Sequence, residues 1–172
     1  MPKEAITIET ERLILRPFIL DDIAPSNEMN LDARVSKFTG DGGIVGEAEI
    51  ERRIKENVMG DYAKYGYGRW AVELKGGKKF IGFAGLKFMA DLNEVDLGYR
   101  LLFDYWGKGL ATEAAKACLD YGFNTLQLKR IIATVLPDNI GSVRVLEKVG
   151  MQYEKEFIED GLFVKQYCIQ QP

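Results

Sequence analysis

"DYWGKGLATEAAKACLDYGF", residues 104–123, decides how the rest of the 172-residue chain is read. An aromatic pair, Tyr105-Trp106, runs into Gly107 and Gly109 on either side of Lys108, and an alanine-rich helical pattern begins at once. Glycine weakens a helix by ~1 kcal/mol relative to alanine, so two of them at a helix start need a reason. Either the turn uses backbone angles that glycine adopts most readily, or a ligand lies against bare main chain. The N–H groups at a helix start lack intrahelical acceptors and carry the positive end of the helix dipole, which suits a phosphate. Lys108 adds a positive charge. A tight strand-to-helix turn with no ligand would use the same residues.

Working outward, "NEVDLGYRLLF" (93–103) reads as a strand before the turn and "RIIATVL" (130–136) as a compact buried strand after it. Between them, residues 108–123 form a helix with Leu110, Ala114, Ala117 or Cys118, and Tyr121 on one face. The unit is a strand–helix–strand crossover over 94–135. Upstream, "ITIETERLILRPFILDD" (6–22) alternates over Leu13 and Leu15 and reads as one strand ending at Pro17, after which Asp21 or Asp22 caps a short helix. Residues 31–45 are loop-like, with "GDGG" at 40–43. "GEAEIERRIKENVMGDYAKYG" (46–66) places Ile50, Ile54 and Val58 at helical spacing. "RWAVELK" (69–75) and "KKFIGFAGLKFM" (78–89) make a hairpin about Gly76-Gly77. Asp138 or Asn139 caps a helix that Gly150 stops, and "MQYEKEFIEDGLFVKQYCI" (151–169) is a last hairpin about Asp160-Gly161. The class is α+β, mostly antiparallel, in a single domain spanning 1–172.

Composition removes whole classes of chemistry. Apolar residues at 47% and charged residues at 28% are ordinary for a globular domain. A net charge of −3 with no strongly basic run argues against nucleic acid as the main partner. The chain has no histidine, so Ser/His/Asp and Cys/His constellations and His-ligated metal sites fall away. Cys118 and Cys168 lie far apart and read as reduced thiols, with Cys118 on the apolar helix face. No signal peptide and no apolar run of ~18 residues is seen, so a cytoplasmic chain without membrane contact is expected. The glycine turn lacks the Gly-Lys-Ser/Thr of a P-loop, and Thr112 stands where a dinucleotide fingerprint has its third glycine.

"WGKGLA" (106–111) fits the Arg/Gln-x-x-Gly-x-Gly/Ala signature of the GCN5-related N-acetyltransferases (GNAT), with Trp106 in the Arg/Gln position. "ETERLILRPF" (9–18), "VDLGYRLLFDYWGKGLATEA" (95–114) and "PDNIGSVRVLEKVGM" (137–151) resemble the first strand, acetyl-CoA core and following helix of the branch holding the ribosomal-protein N-terminal acetyltransferases (RimJ/RimL-like). Their order and spacing match over residues 9 to about 170. The resemblance implies the GNAT fold: a mixed, mostly antiparallel central sheet with a splayed parallel strand pair and flanking helices. It implies acetyl-CoA as co-substrate, its pyrophosphate held by the main-chain amides of Gly107, Lys108, Gly109, Leu110, Ala111 and Thr112. Tyr99, Arg100 and Leu101 would pair with the pantetheine arm, and an N–H near Leu101 would meet the thioester oxygen. Asn139 matches an asparagine that binds the pantetheine, and Ser142 the serine one turn later; both also favour a helix start without any ligand. Arg144 and Lys148 form either a 3′-phosphate contact or an exposed basic face.

The implied chemistry is direct attack of a neutral amine on a thioester, with no covalent enzyme intermediate and no metal. A lysine amine has pKa ~10.4 and an α-amine ~8, so an N-terminus is already partly neutral at pH 7. Without histidine the base is a carboxylate acting through water. Asp96 occupies the family's acidic position, Glu94 lies on the same strand face, and Glu73 is a third choice; solvated strand positions would carry the same residues. Leu146 stands where many relatives carry an acidic tyrosine, which leaves Ser142 or water to protonate the departing thiolate. The acceptor is an amine on a small molecule or a protein N-terminus, with the latter favoured by the branch. Residues 21–65 and 151–168 are expected to wall its groove, with Phe38, Tyr62, Tyr65, Tyr67, Phe163 and the acids Asp41, Glu47, Asp61 and Glu159. A polyamine or aminosugar acceptor, a non-catalytic acyl-CoA sensor, and a homodimer through strand edges are also compatible with these residues.

Overall fold

The computed structural model describes residues 6–39 and 43–172; Gly40, Asp41 and Gly42, and with them one acid assigned to the acceptor groove, lie outside the described residues. Leu13 and Leu15 alternate inward as expected and are fully buried, but the segment around them is not one strand. It is a tight hairpin of β1 (Ile8–Glu9) and β2 (Leu13–Arg16), paired Ile8 to Leu15. Thr10 makes the reversal: its N–H donates to Leu13 O at 2.9 Å, and its hydroxyl accepts from Leu13 N–H at 3.0 Å. Asp22 sits at the cap position of α1 (Ile23–Leu31) without capping it by side chain. Its carboxylate instead accepts from Ile19 N–H at 2.9 Å and from both Arg16 Nη atoms at 2.8 and 2.9 Å.

After α2 (Ala33–Ser36) comes the amphipathic stretch, which is α3 (Glu47–Arg52), a π-helical turn Arg53–Val58, and α4 (Met59–Tyr65). Ile50 and Ile54 are buried with Phe18, Tyr62, Ala71 and Phe80 in a small second core on one sheet face. The sheet continues with β3 (Arg69–Leu74), β4 (Lys79–Met89) and β5 (Glu94–Leu101), then α5 (Leu110–Asn124), β6 (Arg130–Val135), α6 (Ile140–Lys148), β7 (Gln152–Glu159) and β8 (Leu162–Gln170). Its order is β1-β2-β3-β4-β5-β6-β8-β7, and the β5–β6 pair is parallel while the other pairs are antiparallel. Asp160 and Gly161, both at positive φ, close the last hairpin, as a two-residue turn of that kind requires. α5 lays Leu110, Ala114, Cys118 and Tyr121 on the main core with Trp70, Leu86 and Ile131. No described helix is long and apolar enough to cross a membrane.

At the centre of the sheet β3 and β4 come unusually close. A Cβ on Gly85 would meet Gly68 O at 2.5 Å and Arg69 Cα at 2.6 Å, both main chain. Gly85→Ala is therefore expected to lower stability by about 2 kcal/mol, because two backbones rather than a side-chain tip must move. Urea unfolding reads this directly; a variant as stable as the parent would show that the strands separate freely.

Candidate active site

β5 and β6 are registered at a single pair, Asp96 with Ile132, and part beyond it. A cavity of about 1010 Å³ enters this split. Leu97 to Leu101 on one side and Ala133 to Leu136 on the other line it, together with Gly107, Gly109 to Thr112, and Asp138 to Ser142. The splayed parallel pair that the resemblance implied is thus the centre of the site.

The glycine turn now explains itself. Gly107 and Gly109 hold φ of +72° and +77°, the left-handed region that costs other L-residues roughly 1–2 kcal/mol. Gly109 stands at the N-cap of α5 with no side chain to bond the first turn. The first-turn N–H groups of Leu110, Ala111 and Thr112 have no acceptor within the helix, and those residues line the cavity. The loop is braced from outside by a residue pair that sequence reading did not single out. Arg12 donates from Nη1 to Lys108 O at 2.9 Å and from Nε to Glu113 Oε1 at 2.8 Å. Burial would raise the Glu113 carboxyl, but hydrogen bonds from Thr10 and Arg12 outweigh it and hold it below the usual glutamate range. Lys108 does not line the cavity; its ammonium lies 5.5 Å from the Tyr105 ring centroid.

Trp106 gives the Arg/Gln position a structural use. Its indole Nε1 donates to Leu101 O at 2.9 Å, fastening the end of β5 to the glycine turn, and its ring packs on Phe103 and Phe38. Tyr99 reaches from β5 to α6, where its hydroxyl donates to Ser142 O at 3.0 Å and lies 2.9 Å from Ser142 Oγ. Burial pushes this phenol above its ordinary range. Asn139 caps α6: its Oδ1 accepts Ser142 N–H at 3.2 Å, and both residues line the cavity. Arg100 lines it too, its guanidinium 5.4 Å from the Phe83 ring. Arg144 and Lys148 are also on the lining, as is Leu146, which is fully buried.

The structure separates the two strand carboxylates. Asp96 lines the cavity; Glu94 does not, being held 3.0 Å from Arg130 Nε at the far end of β5, with Glu154 on the same guanidinium. Glu73 is likewise engaged elsewhere, by Arg16. Asp96 is 14% exposed and pairs with Arg69 at 2.6 Å. Burial lifts its carboxyl above the ordinary aspartate range; Arg69, Lys87 and the Thr134 N–H on β6 oppose but do not cancel this. Cys118 is buried and its thiol is pushed up to about 12 by desolvation, which makes it a core residue.

Of the aromatic and acidic residues assigned to the acceptor groove, Phe38 and Glu159 line the cavity. Tyr62 is buried in the second core instead, accepting from Phe18 N–H and donating to Arg69 O. Tyr65 and Tyr67 pack on each other, Phe163 is exposed, Glu47 is exposed, and Asp61 is tied to Lys87 at 2.9 Å. The lining also takes in Met29 of α1, Ile50 of α3, Ile54 and Arg53 of the π-helical turn, Phe83 of β4, and Phe18.

Residues 12–152 match the family model described as the acetyltransferase (GNAT) domain. The chain is 42% identical over 93 residues to the uncharacterized protein YkkB of Bacillus subtilis (strain 168), a match covering 53% of this chain and 54% of that protein. It is 34% identical over 150 residues to the uncharacterized N-acetyltransferase YnaD of the same organism, covering 87% and 85% of the two chains. The crystal structure of a GNAT-family acetyltransferase from Bacillus anthracis superposes with a TM-score of 0.83 at 31% identity, over 96% of this chain and 99% of that one.

Proposed function

The chain belongs to the GNAT acetyltransferase family, and we propose that, as an N-acetyltransferase, it moves an acetyl group from acetyl-CoA to the α-amine of a peptide or protein N-terminus. The observation that carries this reading is the cavity running through the β5–β6 split, with the open N-terminal turn of α5 at one end and Asp96 inside it. Residues 1–172 act as one catalytic domain. The amides of Gly107 and of Gly109 to Thr112 take the pyrophosphate, and the backbone of Tyr99 to Leu101 takes the pantetheine as a strand-like partner.

The amine nitrogen then attacks the thioester carbonyl carbon. The developing oxyanion is met by main-chain N–H near Leu101. Asp96, through water, accepts the proton the amine sheds; a carboxyl lifted by burial suits that role. The C–S bond breaks and thiolate leaves. A thiol of pKa ~8.5 is a good leaving group, so the Ser142 hydroxyl or water suffices to return a proton where Leu146 replaces a tyrosine.

Two features support an α-amine acceptor. Its pKa of ~8 leaves less work for the base than a lysine at ~10.4. The likeness to the ribosomal-protein N-terminal acetyltransferases points the same way. The test is thiol release from acetyl-CoA with four acceptors: a peptide with a free N-terminus, the same peptide N-blocked but carrying lysine, spermidine, and glucosamine. The free N-terminus is expected to turn over at least about tenfold faster than the others, a margin well inside the roughly 250-fold difference in neutral amine between an α-amine and a lysine. Fastest turnover of spermidine would overturn the acceptor, and tight acetyl-CoA binding with no release for any amine would favour a sensor.

A further inference from the structure

We propose that Arg69 is a positioning residue for the transfer: its guanidinium holds β5 at the point where the sheet splits, and holds Asp96 there with it. The proposal rests on the acetyl-CoA reading above. Arg69 opens β3, and its side chain, 17% exposed, reaches across β4 onto β5. Nη1 donates to carbonyls on two strands, Gly85 O at 2.6 Å and Asp96 O at 2.8 Å, while Nη2 donates to Asp96 Oδ2 at 2.6 Å. Gly85 and Gly98 face each other across the β4–β5 ladder. A Cβ on Gly98 would stand 2.5 Å from Nη2 and 2.6 Å from Cζ, so the fork lies on main chain that any side chain would cover.

The place of this grip is what gives it a function. Asp96 is the residue at which β5 registers with β6, and Leu97 onward is parted strand lining the cavity. A parted strand edge tends to re-pair, since its N–H and C=O groups seek partners. Arg69 binds the Asp96 carbonyl and carboxylate together with Gly85 O, tying β5 toward β4 and away from β6. The gap is thereby set before the ligand arrives, which spares binding energy that would otherwise open it. Only a planar fork makes these three bonds; an ammonium on a flexible stem does not.

Asp96 is faced by Arg69 from β3, Lys87 from β4 and the Thr134 N–H from β6, while Arg53 lines the same cavity from the helical side. Removing the nearest cation lets burial raise the carboxyl further, so the acid limb of kcat/KM moves to higher pH.

The test uses the full chain. Wild type is first titrated with acetyl-CoA by calorimetry; no heat there would sink the acetyltransferase reading before any variant is compared. Arg69→Gln, folded by circular dichroism, is expected to bind acetyl-CoA about ten- to a hundredfold more weakly. Its acid limb is expected to move up by about one pH unit. Arg69→Lys restores the limb but not the affinity, a split that a purely structural role would not produce. Gly98→Ala keeps Arg69 in the sequence but displaces its fork, and is expected to lose affinity similarly. Unchanged affinity and limb in a folded Arg69→Gln or Gly98→Ala overturns the proposal. So does loss of the fold in all three variants, which would make Arg69 a stability element.

Discussion

Gly109→Val is expected to weaken acetyl-CoA binding by about a hundredfold while leaving most of the fold standing. Among the described residues, the site has room for the added side chain: a Cβ at Gly109 meets only Arg12 Nη2, at 3.5 Å. The penalty lies in the backbone. At φ +77° a non-glycine residue costs roughly 1–2 kcal/mol, and a β-branched one more. The chain relieves that strain by swinging φ negative, which re-aims the N–H groups of Leu110, Ala111 and Thr112 away from the cavity. Each 1.4 kcal/mol is about tenfold in affinity, so strain plus misaimed donors reach the stated loss. The series Gly109→Ala, Gly109→Asn and Gly109→Val also answers which property the turn needs. Asparagine tolerates left-handed angles better than alanine although it is larger. Affinity falling in the order Gly, Asn, Ala, Val means that angle decides; Ala binding better than Asn means that close approach of the ligand decides. Calorimetry on the four proteins is sufficient, and equal affinities for all would remove the turn from the binding site.

The local elements were legible because each rests on short-range chemistry. Gly107 and Gly109 before an alanine-rich run, Asp160-Gly161 between two alternating stretches, and Ile50 and Ile54 at helical spacing all carry their signal within a few residues. The crossover over β5, α5 and β6 was legible for the same reason. What was not legible is contact between distant residues. Arg12 meets Glu113 across 101 positions, and Arg69 meets Asp96 across 27, with nothing in either neighbourhood to announce the partner. The N-terminal hairpin was missed because Thr10 supplies the turn bonds, where a glycine or proline would have announced the reversal. Glu94 and Asp96 share a strand face by period alone, yet the sheet carries one to Arg130 and the other to the cleft. Strand period reports the face of a side chain, and topology reports its neighbours.

That separation makes the second large effect specific to one carboxylate. Asp96→Asn is expected to lower kcat/KM by about 10²- to 10⁴-fold near neutral pH, the range a general base contributes. The change is close to isosteric, and the amide oxygen can still accept from Arg69, so acetyl-CoA affinity should stay within about threefold if geometry alone governs binding. The sign of the pH dependence follows from protonation. A base acts when ionised, and burial places the Asp96 carboxyl above the ordinary aspartate range. The wild-type rate therefore rises with pH through that elevated value, and rises further as an α-amine acceptor loses its own proton near pH ~8. In Asp96→Asn the lower of these two limbs disappears and the upper one remains. Glu94→Gln, whose parent side chain is spent on Arg130 outside the cavity, is expected to retain the wild-type rate and both limbs. If Asp96→Asn keeps the rate and the lower limb, the proton goes to water or to a group outside the β5 strand, and Asp96 serves only as Arg69's partner at the split.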